Sequence, residues 1–594
     1  MFPISGIAKI IDYFTITQIS IFESNSSPDS HPFNESLIKI AFMTALRTLI
    51  LLVFTGFCAD LLAQEEFSLS GSLESNGNFY IRDTTIGAAN TPQYEHQQIG
   101  IETWLSVRAQ IAGFEFGARY DIFANSALLN PQSSYTDQGF GSWYIGKKVG
   151  KLSIRGGYIY DQFGSGIIFR AYEERPLLID NALVGLRLSY EISPDWTIKG
   201  IAGRQKNLFD LYTSVLTGAN IDGFKSLGKE GKVTIAPGFG VIHKTLSDDQ
   251  MEALAGTLSQ YTPEDFIDSV PYNTLAFSAY NTLSAGRFSW YVEGAYKTEE
   301  TIYDTYAKST LWTGVESTGK FVLTNGYVFY TSLSYAGGGL GISGQYKRTS
   351  NFPFDADPFV TLNQGSINFL PPMSRVNTYR LTARYSPATQ DLDEEAVTLD
   401  VRYAVSKNLS FLVNISHIIR PEAVENHDIY DELFTQFTLK KPKEWTMIGG
   451  IQFQRYDQEL YQGKPGVPIV KTITPYIDYL WKITQKKSLR VEFQYMNTQQ
   501  DHGSWLYALA EYSISPHWVF ELSDMYNVAP NEKPDGTGTA EKLHFPTAGV
   551  VYSAGSTRYA LRYVKQVEGI VCSGGICRLE PAFSGFRLNV SSNF

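Results

Sequence analysis

The last nine residues, Phe586-Arg587-Leu588-Asn589-Val590-Ser591-Ser592-Asn593-Phe594, decide the fold. Read as an extended chain, they put Phe586, Leu588, Val590 and Phe594 on one face and Arg587, Asn589, Ser591 and Asn593 on the other. A water-soluble sheet rarely leaves an apolar strand ending in a free aromatic residue at its edge, because such an edge recruits other chains.

The same two-residue alternation recurs through the chain. Phe288, Trp290, Val292 and Tyr296 share one face, against Ser289, Tyr291, Glu293 and Ala295 on the other. Leu489, Val491, Phe493 and Tyr495 alternate likewise with Arg490, Glu492, Gln494 and Met496. Alternation also suits a soluble sandwich, so loop lengths must choose. Short turns are expected at Gly113, 148–151, 284–286, 337–339, 406–408 and 554–556, between longer polar connections at 83–97, 124–138, 299–324, 529–543 and 568–583. Short turns at one end and long loops at the other are the asymmetry of a transmembrane β-barrel. Composition agrees: Gly 50, Tyr 37 and Phe 37 suit aromatic, turn-rich strands, and a mean hydropathy of −0.15 excludes a helical membrane protein. A net charge of −11 argues against a nucleic-acid partner.

The expected fold is therefore all-β, a large antiparallel transmembrane β-barrel of about 26 strands, with 24 as the alternative, and no plug domain. The count rests on parity. Segments 339–349 and 377–386 both read as strands running toward the long loops, so a returning strand is required between them. Phe359 to Leu370 is the candidate, with 371–375 as its turn. Outer-membrane lipid surrounds such a barrel, and barrel-assembly machinery reads a terminal strand like that carrying Phe586, Leu588, Val590 and Phe594.

Export is encoded late. Residues 1–42 read as an upstream start extension, and 43–63 as a signal peptide, with Arg47 before the apolar run Leu49–Phe57. Cleavage after Ala63 leaves 64–594 as the barrel. Cys58 raises a lipoprotein alternative, but Phe57 stands where a lipobox needs a small residue. The location read from this is the outer membrane of a Gram-negative cell.

Tyr190-Glu191-Ile192-Ser193-Pro194-Asp195-Trp196 recurs as Tyr512-Ser513-Ile514-Ser515-Pro516-His517-Trp518, and Lys441–Trp445 is a looser relative. Tyr190, Trp196, Tyr512, Trp518 and Trp445 are read as an aromatic girdle at the headgroup level, where one ring edge is wet. Ser247 opens a capping box with Gln250 before Met251, Leu254 and Leu258, and Thr262-Pro263 offers a second helix start. That segment, 246–271, is the candidate gating loop. Cys572 and Cys577 enclose Ser573-Gly574-Gly575-Ile576, and outside the cell such a pair favours a disulfide over a metal site. The acidic runs at 355–357 and 391–395 read as solvated charge. No catalytic, cofactor-binding or metal motif is present: the histidines are scattered singly, and His417 falls on an outward face. The inward faces mix both signs, with no ladder of one charge.

The late signal, the uniform barrel, the run Cys572–Arg578 and the terminal Asn593-Phe594 together resemble an uncharacterised family of Bacteroidota outer-membrane β-barrel proteins, over most of the mature chain. The resemblance implies location and fold and brings no activity or catalytic residues.

A porin-like or loop-gated channel for small solutes is the expected function. So wide a lumen must be filled, and with no N-terminal plug the external loops 161–181, 246–271 and 299–324 are expected to fold inward. The alternative is a non-transporting scaffold or translocon component, docking a lipoprotein or periplasmic partner. Terminal sequencing of the protein purified from membranes should find Gln64 first; an acylated Cys58 would replace this reading with the lipoprotein one.

Overall fold

The structure is a computed structural model that describes residues 67–594, apart from 229–231, 361–363, 424–426, 532–539 and 574. The start extension and signal peptide lie outside the described residues. The first twelve strands are Ser68–Tyr80 (β1), Ile99–Ile111 (β2), Phe114–Ser126 (β3), Tyr135–Val149 (β4), Leu152–Ile159 (β5), Leu183–Ser193 (β6), Trp196–Asn207 (β7), Val215–Gly223 (β8), Val233–Thr245 (β9), Asn273–Ala285 (β10), Phe288–Thr310 (β11) and Glu316–Gly337 (β12). The second twelve are Leu340–Ser350 (β13), Asp393–Ala404 (β14), Leu409–Ile419 (β15), Asp428–Lys441 (β16), Trp445–Tyr456 (β17), Val470–Lys482 (β18), Lys487–Met496 (β19), Ser504–Ile514 (β20), Trp518–Ala529 (β21), His544–Ala554 (β22), Thr557–Gln566 (β23) and Phe583–Asn593 (β24).

Each strand pairs antiparallel with its sequence neighbour, and β24 closes the ring on β1 from Ser72 opposite Asn593 to Tyr80 opposite Gly585. Closure leaves no free edge, so every ring strand finds ladder partners on both sides. The faces are inverted relative to a soluble sheet. On β18, Thr472, Thr474, Tyr476 and Asp478 are buried, while Ile473, Ile477 and Trp481 are exposed. An apolar exterior around a polar, packed interior is what a bilayer selects.

The ring has 24 strands, not 26. Asp210–Leu211 and Lys225–Leu227 only extend existing ladders. The difference lies between β13 and β14, which pair directly from Leu340 opposite Tyr403 to Ser350 opposite Asp393. Segments 359–370 and 377–386, counted as two strands from the sequence, are neither. Pro353, Pro358, Pro371, Pro372 and Pro387 bracket both segments and interrupt the runs that a long strand would need. Residues 299–324 also differ from expectation: they continue β11 and β12, which are 23 and 22 residues long against the roughly 10 that span a membrane. The hairpin therefore projects past the ring instead of folding into it.

The terminal residue fastens the seam. Gly71 and Phe594 exchange backbone hydrogen bonds of 2.7 and 3.0 Å, and a Cβ on Gly71 would stand 2.4 Å from the Phe594 ring. Glycine makes room for the ring against β1, the pairing by which aromatics cover sheet glycines. Gly71→Val should cost about 1–3 kcal/mol through overpacking. Its folded electrophoretic band should melt at a lower temperature than that of the wild type, and unchanged melting would remove the seam role from Phe594.

Candidate functional site

The site is the lumen, and two inward segments fill it. The first follows β5, whose eight residues leave the wall early. Phe163, Ile167, Ile168 and Phe169 then pack in one buried cluster with Leu183, Ile201, Leu216, Ile242 and Ala276 from the wall. Gly164 has φ +55° and lies so near Glu293 that a Cβ would meet its carboxylate at 2.6 Å. That close turn lets Ser165 donate to Glu293 from its backbone nitrogen (3.0 Å) and its hydroxyl (2.6 Å). Farther along, Arg119 on β3 reaches Glu173 (2.5 Å) and Asp180 (2.8 Å), and Lys206 on β7 reaches Asp180 (2.5 Å).

The second segment, 351–392, is the one the sequence reading took for strands. Phe352, Phe354, Ile367 and Leu370 join the cluster just described. Met373, Leu381 and Tyr385 join a second one with Ile418, Tyr430, Tyr456, Met496 and Trp505 from the opposite wall. The segment thus bridges the two halves of the barrel and is a plug made from a loop. Arg170 donates its backbone N–H to Ile367 (2.9 Å), and Phe369 donates to Gly166 (3.0 Å), so the two inward segments are knitted together.

A non-repetitive chain in a lumen must find partners for its peptide groups, and here wall side chains supply them. Lys244 donates to the carbonyl of Asp355 (2.7 Å), Lys347 to that of Pro371 (2.7 Å), and Lys297 to that of Pro353. Gln205, Gln452 and Gln454 donate to the carbonyls of Ser366, Thr382 and Tyr385 at 2.7, 3.0 and 2.7 Å. Gln494 accepts from the Leu381 nitrogen at 2.7 Å. The lysines are buried with their counter-ions: Lys347 with Glu394 (2.8 Å), and Lys297 (2.7 Å) and Lys244 with Glu300. The acidic run at 391–395 is thus not solvated as its sequence suggested. Glu394 pairs with Lys347, and Asp393 is buried against Arg348 (2.5 Å).

The residues singled out in the sequence fall around this plug, not in it. Ser247 caps the helix Asp248–Leu258 (α1) through a complete capping box with Gln250. Leu254 and Leu258 pack with Tyr261 and Phe321 of the projecting hairpin, with Met251 against them. Pro263 begins a single turn rather than a second helix, and Asp265 at its end accepts from Lys320 (2.6 Å). Segment 246–271 therefore braces the hairpin at the long-loop end and touches the plug through Gln250, which donates to Ala356 (3.0 Å).

Cys572 and Cys577 are cross-strand partners in a small hairpin, Gly569–Ser573 with Ile576–Glu580, and Cys577 is disulfide-bonded. Gly575 in that hairpin accepts from the Thr389 nitrogen of the plug (2.9 Å). Tyr190 and Trp518 are exposed on the outer surface, and Trp518 lies 4.5 Å from Tyr552. Trp445 contacts Tyr479 at 6.1 Å, Trp196 sits over Gly223, and Tyr512 is half-buried, all at or near the short-turn end. His417 is outward and paired with Asp431 (2.6 Å). Phe586 and Leu588 of the terminal strand are exposed to the outside, as is Phe594. Val590 pairs with Ser75 and Tyr559 in the ladders on either side.

A family model described as a family of unknown function, DUF6029, matches residues 41–594. The chain belongs to the DUF6029 family. No curated protein sequence matches it. Among solved structures, this DUF6029 chain is similar to the P pilus usher (PapC) translocation pore, at 10% identity over 89% of this chain and 99% of that one, TM-score 0.41. It is also similar to the siderophore receptor PirA from Pseudomonas aeruginosa, at 8% identity over 89% and 81%, TM-score 0.37. The FrpB iron transporter from Neisseria meningitidis aligns at 11% identity over 90% and 82%, TM-score 0.37.

One latch ties the plug of the DUF6029 barrel to its outer loops. Asp501, between β19 and β20, accepts from the hydroxyl of Tyr385 in the plug (2.8 Å) and from Gln458 (2.8 Å), with Arg384 at 3.7 Å. Burial alone would raise its pKa, but His502, Arg384 and these hydrogen bonds bring it down to about 2. A depressed carboxyl stabilises the fold above its ordinary value of 3.8, and that contribution, about 2 kcal/mol, is lost as pH falls through about 2. Asp501→Asn should mimic the loss at neutral pH. Amide exchange over 379–390 should then accelerate roughly tenfold or more, and unchanged exchange would place the plug's hold elsewhere.

Proposed function

We propose that this protein is an outer-membrane channel for small polar solutes, gated by its own plug, residues 351–392. The observation that carries the reading is how the plug is held. It is a loop continuous with the wall at Ser350 and Asp393, fixed by polar side chains, and it borders a cavity of about 310 Å³. Two more cavities, of about 650 and 270 Å³, lie beside the first inward segment. A lumen filled only for stability would be served better by an apolar core, since buried ion pairs bring little net stabilisation. Polar attachments can instead exchange with water when the plug shifts. The short-turn end faces the periplasm in this reading, the aromatic residues near it sit at the lipid headgroups, and the cleaved signal at 43–63 directs export.

A second reading, a scaffold that docks proteins at the cell surface, draws on the projecting β11–β12 hairpin. Trp312 and Val315 at its tip are 65% and 55% exposed, well away from the lipid-facing band.

Planar-bilayer recordings separate the two. Ser350 and Asp393 already face each other in the β13–β14 ladder, so a four-residue Gly/Ser turn can replace 351–392 without disturbing the ring. The wild type should open briefly and to small conductance, and the plugless variant should give persistent openings several times larger. A plugless barrel no more conductive than the wild type would overturn the channel reading.

A further inference from the structure

The largest of these three cavities, about 650 Å³, lies on the short-turn side of the first inward segment. Five arginines line it (Arg108, Arg119, Arg155, Arg170 and Arg175), against two carboxylates, Asp161 and Glu173. Both carboxylates are already engaged. Asp161 pairs with Arg187 (2.6 Å) and Lys199 (3.0 Å), and Glu173 with Arg119 (2.5 Å) and Arg175 (3.0 Å). Arg108, Arg155 and Arg170 have no carboxylate within ion-pair distance among the described residues. In a chain of net charge −11, an unbalanced positive cavity is not a consequence of composition.

The unpaired arginines are also held in place. The Arg155 guanidinium lies 3.6 Å over the Tyr144 ring, and its buried Nε has no hydrogen-bond partner. Arg170 stacks on Phe369 of the plug at 4.0 Å and on Tyr172 at 4.6 Å. Stacking occupies the faces of a guanidinium and leaves its N–H edges free, the edges that grip an oxyanion in bidentate fashion. Arg108 is exposed into the cavity from β2, on the same face as Trp104.

Arginines continue toward the long-loop end. Arg175 also borders the 270 Å³ cavity, where it, Arg578 and Arg587 are balanced by Glu74, Glu102 and Glu580. Glu580 then joins that cavity to the 310 Å³ one, which is lined by Arg375, Arg380 and Arg384 of the plug. Lysines, by contrast, do the anchoring of the plug and line none of these three cavities.

We propose that the cavity around Arg108, Arg155 and Arg170 is a binding site for a small oxyanion carrying at least two negative charges. The solute is handed along the arginine-bearing margin between the two inward segments and the wall. This names the substrate class of the proposed channel and so rests on that reading, but the site itself can be tested without conductance.

The test is calorimetric titration of pyrophosphate into the folded protein in detergent at low salt. The wild type should bind one equivalent, more weakly as salt rises. The double variant Arg108→Ala/Arg155→Ala should bind at least about tenfold more weakly. Arg402→Ala, on the opposite wall, should bind like the wild type. Heat-modified electrophoresis checks that each variant is folded, and Arg108→Lys/Arg155→Lys, which keeps the charge, should recover part of the affinity. Absence of binding to the wild type, or equal binding to the double variant and the wild type, overturns the site. Binding by a plugless barrel that shows no enlarged conductance would overturn the channel reading alone, and enlarged conductance without pyrophosphate binding would overturn the site alone.

Discussion

Everything in this molecule depends on the ladder between β1 and β24. A sheet in a bilayer cannot leave peptide groups facing hydrocarbon, where each unpaired group costs several kcal/mol. The ring must close, and it closes with Gly71 and Phe594 exchanging hydrogen bonds. Closure fixes the inversion of the faces. With lipid outside, the apolar residues of each strand point outward, and Thr472, Thr474 and Asp478 on β18, like Glu293 and Lys297 on β11, must point in. The polar interior is thus a requirement of the ring before it has any role in transport.

That interior then determines how the lumen can be filled. A plug without regular ladders brings bare carbonyls and amides, and a wall rich in lysine and glutamine matches them. Each contact solves two problems at once. Lys347 would be prohibitive to bury alone, yet with Glu394 on one side and the Pro371 carbonyl on the other its charge and its donors are both accommodated. Apolar clusters at Phe352–Leu370 and at Met373–Tyr385 supply the area burial that such polar pairs do not. Hence apolar burial favours a plug inside the lumen, while polar contacts set its specific position.

The legibility of this arrangement in sequence follows the same division. Ring strands declare themselves because alternation is enforced by two opposed solvents, and the short turns declare themselves through glycine and proline. The turns at Gly113, at Gly338-Gly339 and at Gly555 fall where the spacing placed them. The plug has no period to read. With 377–386 read as a strand, parity demands a partner for it, and 359–370 is the segment at hand. Dropping both segments also keeps the number even, and the five prolines that bracket them, from 353 to 387, are the local signal against strands there. Residues 299–324 failed differently. A hairpin that outruns the membrane loses its lipid-facing constraint, so its alternation weakens and it resembles a loop. The arginine-lined cavity was invisible for a third reason. Arg108, Arg155 and Arg170 are far apart in sequence, and each inward face read alone seemed to mix charges. Only the ring brings them together, and only ion-pair geometry shows which carboxylates are already taken.

The division of labour between the two cationic residues has a physical basis. A lysine ammonium is compact, points its donors in any direction, and can satisfy a carbonyl and a carboxylate at the end of one flexible stem. Arginine is planar, so it can be pinned by an aromatic face while its edges stay available. Lys244, Lys297 and Lys347 are spent on the plug's backbone, whereas Arg155 and Arg170 are pinned by Tyr144 and by Phe369. Because Phe369 belongs to the plug, any displacement of that segment takes away the surface against which Arg170 is held. An anion bound at Arg108, Arg155 and Arg170 would therefore favour whichever plug position keeps Phe369 in place. Were such an anion bound, occupancy of the cavity and position of the plug would be coupled through one stacked side chain, equally in both directions.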